Sequence, residues 1–324
     1  MTHSAAHKLS DAPLDVNKLP NAKNQHYVWR YYLTAWTTDG NFWCYRYKAK
    51  SLFRTQPKSV ANEHYFYEAY RLTTADEEFL ERIIKQGADE ELRKINRNFI
   101  RYSQATFRLR DLLQDKTFTR EGRVEIEKAL RWGETNLAEQ YHGGIEHSAH
   151  DIIDALRREN DDFYNDDDRC VDFLYFLSNE YCRTAKIHRA VSSFPRYVPG
   201  HGPRSTIGIE AFIYATNFGR ELFRERKQAR IIFLKNETPN PFIAGDQPVI
   251  NMLDPKQTTD VELYYPLAPT LAVILTKDSK RFPLQRRRVS QLELENYNYA
   301  IFQNSEDQAY SNDDAYLRSL VTIG

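Results

Sequence analysis

Alternating, β-type sequence stands at both ends of this 324-residue chain, and helical periodicity fills the middle. Asn41–Lys48 alternates around Phe42, Cys44, Tyr45 and Tyr47, and Leu52–Arg54 forms a second extended piece. Far downstream, Ala229–Leu234, Phe242–Ala244, Val249–Met252, Val261–Tyr265 and Leu271–Thr276 are short apolar runs separated by loops with Pro and Gly. That is the pattern of an antiparallel meander. Strands at both ends of a helical chain predict one shared sheet. The expected class is therefore α+β: a central helical layer packed on a mixed, mainly antiparallel sheet built from N- and C-terminal strands. Residues 24–324 read as one domain, preceded by a polar tail over 1–23; a split into two domains near residue 235 is the alternative.

The helical middle divides at its breakers. Tyr27, Tyr31 and Tyr32 predict a short helix within 26–36. A helix from Ala75 to about Arg108 starts at a Thr73 or Thr74 cap with Glu77 or Glu78 near its third position. Two more run over 120–141 and 145–158, separated by Gly143-Gly144. The acidic stretch Glu159–Asp168 predicts a surface loop, since its like charges repel and solvate. A fourth helix spans Asp172 to about Val191, Ser192–Pro203 forms a loop, and helices follow at 205–226, 290–303 and 312–321.

Composition excludes several classes. Lys plus Arg and Asp plus Glu are each 45, so the global basic excess of many nucleic-acid binders is absent, although a local groove is not. Three scattered cysteines, Cys44, Cys170 and Cys182, argue against a disulfide scaffold and fit a reducing cytoplasm. No apolar run approaches the length of a membrane span, and the first residues lack the apolar core of a signal peptide.

Four places combine polar residues with an aromatic or aliphatic frame. In Asn24-Gln25-His26, with Arg30, the four-residue spacing puts His26 and Arg30 on one face if the segment is helical. His26 then serves as acid or base and Arg30 as a fixed cation, or the segment is simply a helix start. Arg183-Thr184 lies among Phe173, Leu174, Phe176, Leu177 and Tyr181, so Arg183 is buried and needs a carboxylate partner. It is an anion clamp in a cleft, or a salt bridge to Asp246, Glu180 or a carboxylate of the first helix. Gly245-Asp246-Gln247-Pro248 predicts a tight turn with Gly245 at positive φ and Asp246 at its tip, as a base, a metal ligand, a partner of His26 or a structural Asx turn. Glu139-x2-His142 with Glu146, His147 and His150 has di-iron-like spacing. Gly143-Gly144 interrupts it, so no metal ligand and no cofactor are assigned.

Taken together, Asn24–Leu33, Arg183-Thr184-Ala185, Phe242–Val249 and Tyr265-Pro266-Leu267-Ala268-Pro269 resemble the family called domain of unknown function 4238, over about Asn24 to Asn312. Asn62–Tyr67 and Asn304–Tyr310 add to it. The resemblance implies a bacterial accessory protein, in some cases from phage-defence neighbourhoods, and raises the N-terminal motif and Asp246 as site residues. The leading expectation is a cytoplasmic, nuclease-like effector of phage defence or of a toxin system. His26, Arg183 and Asp246 would be catalytic, Gln25, Arg30 and His188 would bind substrate, nucleic acid would be the partner, and no membrane would be involved. One alternative is a non-enzymatic sensor or ligand-binding protein. Another rests on Arg183-x4-His188, which resembles the motif of the HEPN ribonucleases and predicts a dimer with both residues facing a partner copy.

Overall fold

The computed structural model describes residues 21–114, 116–193, 200 and 202–323; most of the N-terminal tail and part of the 192–203 loop lie outside them. In chain order, β1 (Asn24–His26) leads into α1 (Arg30–Leu33), β2 (Phe42–Arg46), β3 (Ser51–Thr55) and β4 (Asn62–His64). The helices α2 (Thr74–Lys85), α3 (Glu90–Ser103), α4 (Ala105–Leu113), α5 (Arg120–Arg157), α6 (Asp167–Cys182), α7 (Ala185–Ser193) and α8 (Pro203–Glu225) follow. The last third holds β5 (Arg230–Lys235), β6 (Ala244–Gly245), β7 (Ile250–Asn251), β8 (Leu263–Ala268), β9 (Leu271–Thr276), β10 (Arg286–Arg288), α9 (Gln291–Asn304), β11 (Gln308–Ser311) and α10 (Asp314–Ile323).

The α+β class holds, and the two ends of the chain do share a sheet: β3-β2-β11-β6, antiparallel throughout. The late strands do not form one meander, however. β6 joins that sheet, while β10-β5-β9-β8-β7 form a second, antiparallel except for the parallel β10–β5 pair. β1 and β4 pair separately. The largest core unites Val28, Tyr32 and Trp36 with Ile152, Ile153 and Leu156 of α5, Phe173 and Phe176 of α6, and Tyr265 of β8. Cys44, Cys170 and Cys182 are free and buried.

Two helix boundaries differ from the sequence expectation in ways that build the site. Gly143-Gly144 does not break the rod, and α5 runs unbroken for 38 residues. A helical glycine costs only about 1 kcal/mol relative to alanine, and the buried Ala149, Ile152, Ile153 and Leu156 hold the helix beyond it. Conversely, the helix expected over 172–191 stops at Cys182. Arg183 caps α6, and the Thr184 hydroxyl accepts the Ile187 N–H at 3.4 Å to start α7. Elsewhere the Thr73 cap is closed by Asp76 rather than by a glutamate.

Candidate functional site

Continuity of α5 puts Glu139, His142 and Glu146 at helical spacing on one face. That face meets the C-terminal end of α6, where Glu180 lies one turn before Arg183. The Arg183 side chain is 1 % exposed. Its Nη2 contacts Glu146 Oε1 at 2.6 Å and Glu180 Oε1 at 2.5 Å, while Nε and Nη1 are buried without a partner. Arg183 is therefore the salt-bridged residue that its apolar surroundings demanded, with Glu180 and Glu146 rather than Asp246 as its partners.

The electrostatics follow from one cation among three carboxylates. Burial alone would lower the Arg183 pKa, but Glu180 and Glu146 overcome it and hold the guanidinium charged. Burial pushes Glu180 up to about 7, with Arg183 opposing and Glu146 reinforcing the shift. Burial likewise pushes Glu139 up to about 7 against the pull of Arg183. The Glu139 Oε2 atom has no partner, while the backbone N–H of His26 steadies its carboxylate. The cluster thus holds a proton near neutral pH, as a general acid or base requires.

The histidines behave differently. His26 sits on β1 opposite Asn62, not on a helix, so it shares no helical face with Arg30, where α1 only begins. Its Nε2 hydrogen-bonds with the Lys58 carbonyl at 3.2 Å. Burial, then Arg30, lowers its pKa to about 4, and Arg183 adds to the shift, so His26 is neutral at physiological pH. His142 interacts with the Asn179 side chain, while its Nδ1 and Asn179 Nδ2 are buried without a partner. Burial, followed by Arg183, keeps His142 neutral. His188 stacks on Phe66 at 4.7 Å and is lowered to about 4, chiefly by burial. Arg183 and His188 are both buried and belong to different helices, so this arrangement does not present them to a partner copy.

The remaining motif residues are structural fasteners. Gln25 is fully buried; it donates to the Thr135 carbonyl and accepts the Tyr67 N–H at 2.7 Å, tying β1 to α5. Arg30 is exposed at the edge of the cluster, where its charge reaches both His26 and Glu139. Asp246 accepts the backbone N–H groups of Glu306 (2.7 Å), Asp307 (2.9 Å) and Gln308 (3.0 Å), which latches the turn before β11 to β6. Burial raises its pKa to about 6 while those donors oppose. Gly245 has no positive φ; its lack of a side chain leaves room for Ser305 Oγ, which a Cβ would displace, and for Ile301 Cγ2, which a Cβ would approach to 3.1 Å. What joins this turn to Arg183 is the next residue, Gln247. Its Oε1 accepts from Thr184 Oγ1, and its Nε2 donates to the Tyr181 and Val249 carbonyls. Asp246→Ala leaves three N–H groups unanswered and is expected to lower unfolding free energy by roughly 2 kcal/mol, read from urea denaturation; no loss would make the latch dispensable.

In the sequence, Glu139, His142 and Glu146 stand out only for their di-iron-like spacing, and Glu180 only as a partner for Arg183. Among the described residues no three His, Cys, Asp or Glu side chains are grouped so as to hold a metal ion. His147 and His150 leave the cluster, His147 exposed and His150 against the Tyr31 ring at 4.2 Å. No helix among the described residues is long and apolar enough to cross a membrane. Beside the cluster, a cavity of about 270 Å³ is walled by Tyr67, His142, Phe99 and Arg204.

A model of one protein family matches residues 24–198 and 210–315, a span that contains β1, α5, α6 and the Asp246 turn. The chain belongs to this family, described as Protein of unknown function (DUF4238). Comparison with curated proteins gives no match, and comparison with solved structures gives none. The DUF4238 match thus takes in all the fasteners of the site, Gln25, Arg183, Thr184 and Gln247, together with Glu139 on α5.

Proposed function

We propose that this protein is a hydrolase of nuclease type, with Glu139 as the proton-transferring group and Arg30 as the cation that meets the substrate phosphate. The observation that carries the reading is Glu139 itself: a carboxyl poised at about 7, with one oxygen unpartnered, between a buried guanidinium and an exposed arginine. In this reading the Glu139 carboxylate removes a proton from the attacking water as the water oxygen adds to phosphorus. The P–O bond to the leaving group then breaks, and solvent protonates the departing oxygen. Arg183 acts from behind: burial raises the Glu139 pKa, and the Arg183 charge pulls against it. His26, neutral and bonded to Lys58, positions the strand whose N–H meets Glu139. The setting in bacterial phage defence or a toxin system rests on the neighbourhoods of the resembling family.

The cavity walled by Tyr67 and His142 favours a second reading, a sensor that binds a small ligand beside the same cluster. Degradation of labelled RNA and DNA by the purified protein, with and without EDTA, separates the two. Cleavage should fall by about a hundredfold in Glu139→Gln, the scale of a lost general base, with the variant still folded. Intact cleavage in Glu139→Gln would remove Glu139 from the mechanism. No cleavage by the wild type on any nucleic acid would leave the sensor reading.

A further inference from the structure

We propose that the N-terminal half of α5 forms a groove that binds single-stranded nucleic acid and directs it along the helix toward Glu139; only the fate of the bound strand rests on the nuclease reading above. The groove, of about 850 Å³, is lined by Arg120, Arg123, Lys128 and Arg131, with Tyr65 and Trp132 among them. Its lining carries these four cations and one carboxylate, and Lys128 is held by Glu125 outside the groove at 2.8 Å. The acidic residue on its wall, Glu127, is paired with Arg110 at 3.3 Å. Arg120 and Arg123 are exposed and have no ion-pair partner among the described residues. Arg131 lies over the Tyr65 ring at 5.6 Å and contacts Glu68 at 2.5 Å.

Cations interleaved with aromatic rings suit a flexible anionic chain with flat bases: the cations meet phosphates, and the rings stack bases without choosing among them. Arg120 to Arg131 covers about 16 Å of helix at 1.5 Å per residue, room for on the order of four nucleotides. The groove also leads somewhere. Thr135 lines its far end, one turn before Glu139 on the same helix, and Tyr65 belongs both to the groove and to the cavity walled by Tyr67 and His142.

The test is fluorescence anisotropy of labelled single-stranded RNA and DNA oligonucleotides, with heparin as a polyanion that lacks bases. The Arg120→Glu/Arg123→Glu double variant, whose sites are exposed, should fold as the wild type does by circular dichroism and bind at least about tenfold more weakly. Each arginine–phosphate pairing removed should reduce the slope of log affinity against log salt by about 0.7, so the double variant should be shallower by about 1.4. Tyr65→Ala should weaken oligonucleotide binding and leave heparin binding unchanged. Unchanged affinity in the double variant would overturn the proposal. So would a wild type that binds no oligonucleotide, or one that binds heparin equally well with no effect of Tyr65→Ala. Assaying cleavage of the bound oligonucleotides by the same preparations separates the two proposals. Groove-dependent binding with no cleavage in any form would keep the groove and refute the nuclease.

Discussion

Arg183→Met should be among the most damaging single substitutions in this protein, lowering unfolding free energy by about 3–5 kcal/mol. The cause is not the loss of an attraction alone. Removing the guanidinium leaves Glu180, fully buried, and Glu146 facing each other with no cation between them. For a chain of this size the melting temperature should fall by roughly 5–8 °C. A second variant distinguishes a structural pair from a working one. Arg183→Met with Glu180→Leu removes both charges of the tightest pair, and replacing a buried ion pair by apolar groups is often close to neutral. The double variant should therefore recover most of the lost stability while the cleavage proposed above stays lost, because the Glu139 carboxyl no longer has the Arg183 charge opposing its burial. A single variant that melts with the wild type would show that the cluster contributes no net stability. A double variant that regains cleavage would confine Arg183 to a structural role.

Stability should also report the protons of the cluster. Glu139 and Glu180 have folded pKa values raised from 4.5 to about 7. Between those two values the folded protein holds protons that the unfolded chain has released. The stability each contributes is therefore fully present below pH 4.5 and lost as pH rises through 7. A shift of this size corresponds to about 3 kcal/mol per group at pH 8. His26 and His188 work in the opposite sense. Their folded pKa values are lowered to about 4, so their contribution is present above 6.5 and lost as pH falls toward 4. Wild-type stability should consequently peak in mildly acidic solution. Urea denaturation of wild type and Glu139→Gln at several pH values between 5 and 8 isolates one carboxyl. The glutamine variant should gain on the wild type as pH rises and level off above about 7. Parallel curves would mean that Glu139 titrates normally.

Much of this arrangement is legible in the residues. Alternation around Phe42, Cys44 and Tyr45 marks β2, and short apolar runs mark the late strands, because a half-buried strand exposes every second side chain to the core. The apolar frame of Arg183 requires a partner, because an unpaired charge is too costly there. Other features resist such reading. Gly143-Gly144 has the local signature of a break, yet apolar packing on its far side outweighs about 1 kcal/mol per glycine. His26 and Arg30 have helical spacing but lie on a strand and a helix start, since Gln25 is drawn into bonds with Thr135 and Tyr67. Asp246 looks displayed, but it is 1 % exposed, and its carboxylate is occupied by three N–H groups from a segment some sixty residues away.

The class of fold, the membership of one sheet by both chain ends, and the need of Arg183 for a carboxylate are thus legible in the residues alone. These rest on local periodicity and on the cost of burying charge, and neither depends on where distant residues fall. Which carboxylates answer Arg183 is a matter of three-dimensional packing. That choice depends on α5 staying helical through two glycines, so that Glu139 and Glu146 reach the end of α6 on one face. It depends equally on the helix break at Arg183-Thr184, which Gln247 holds from another part of the chain. Partner identity is set by long-range packing, and helical spacing alone does not carry that information.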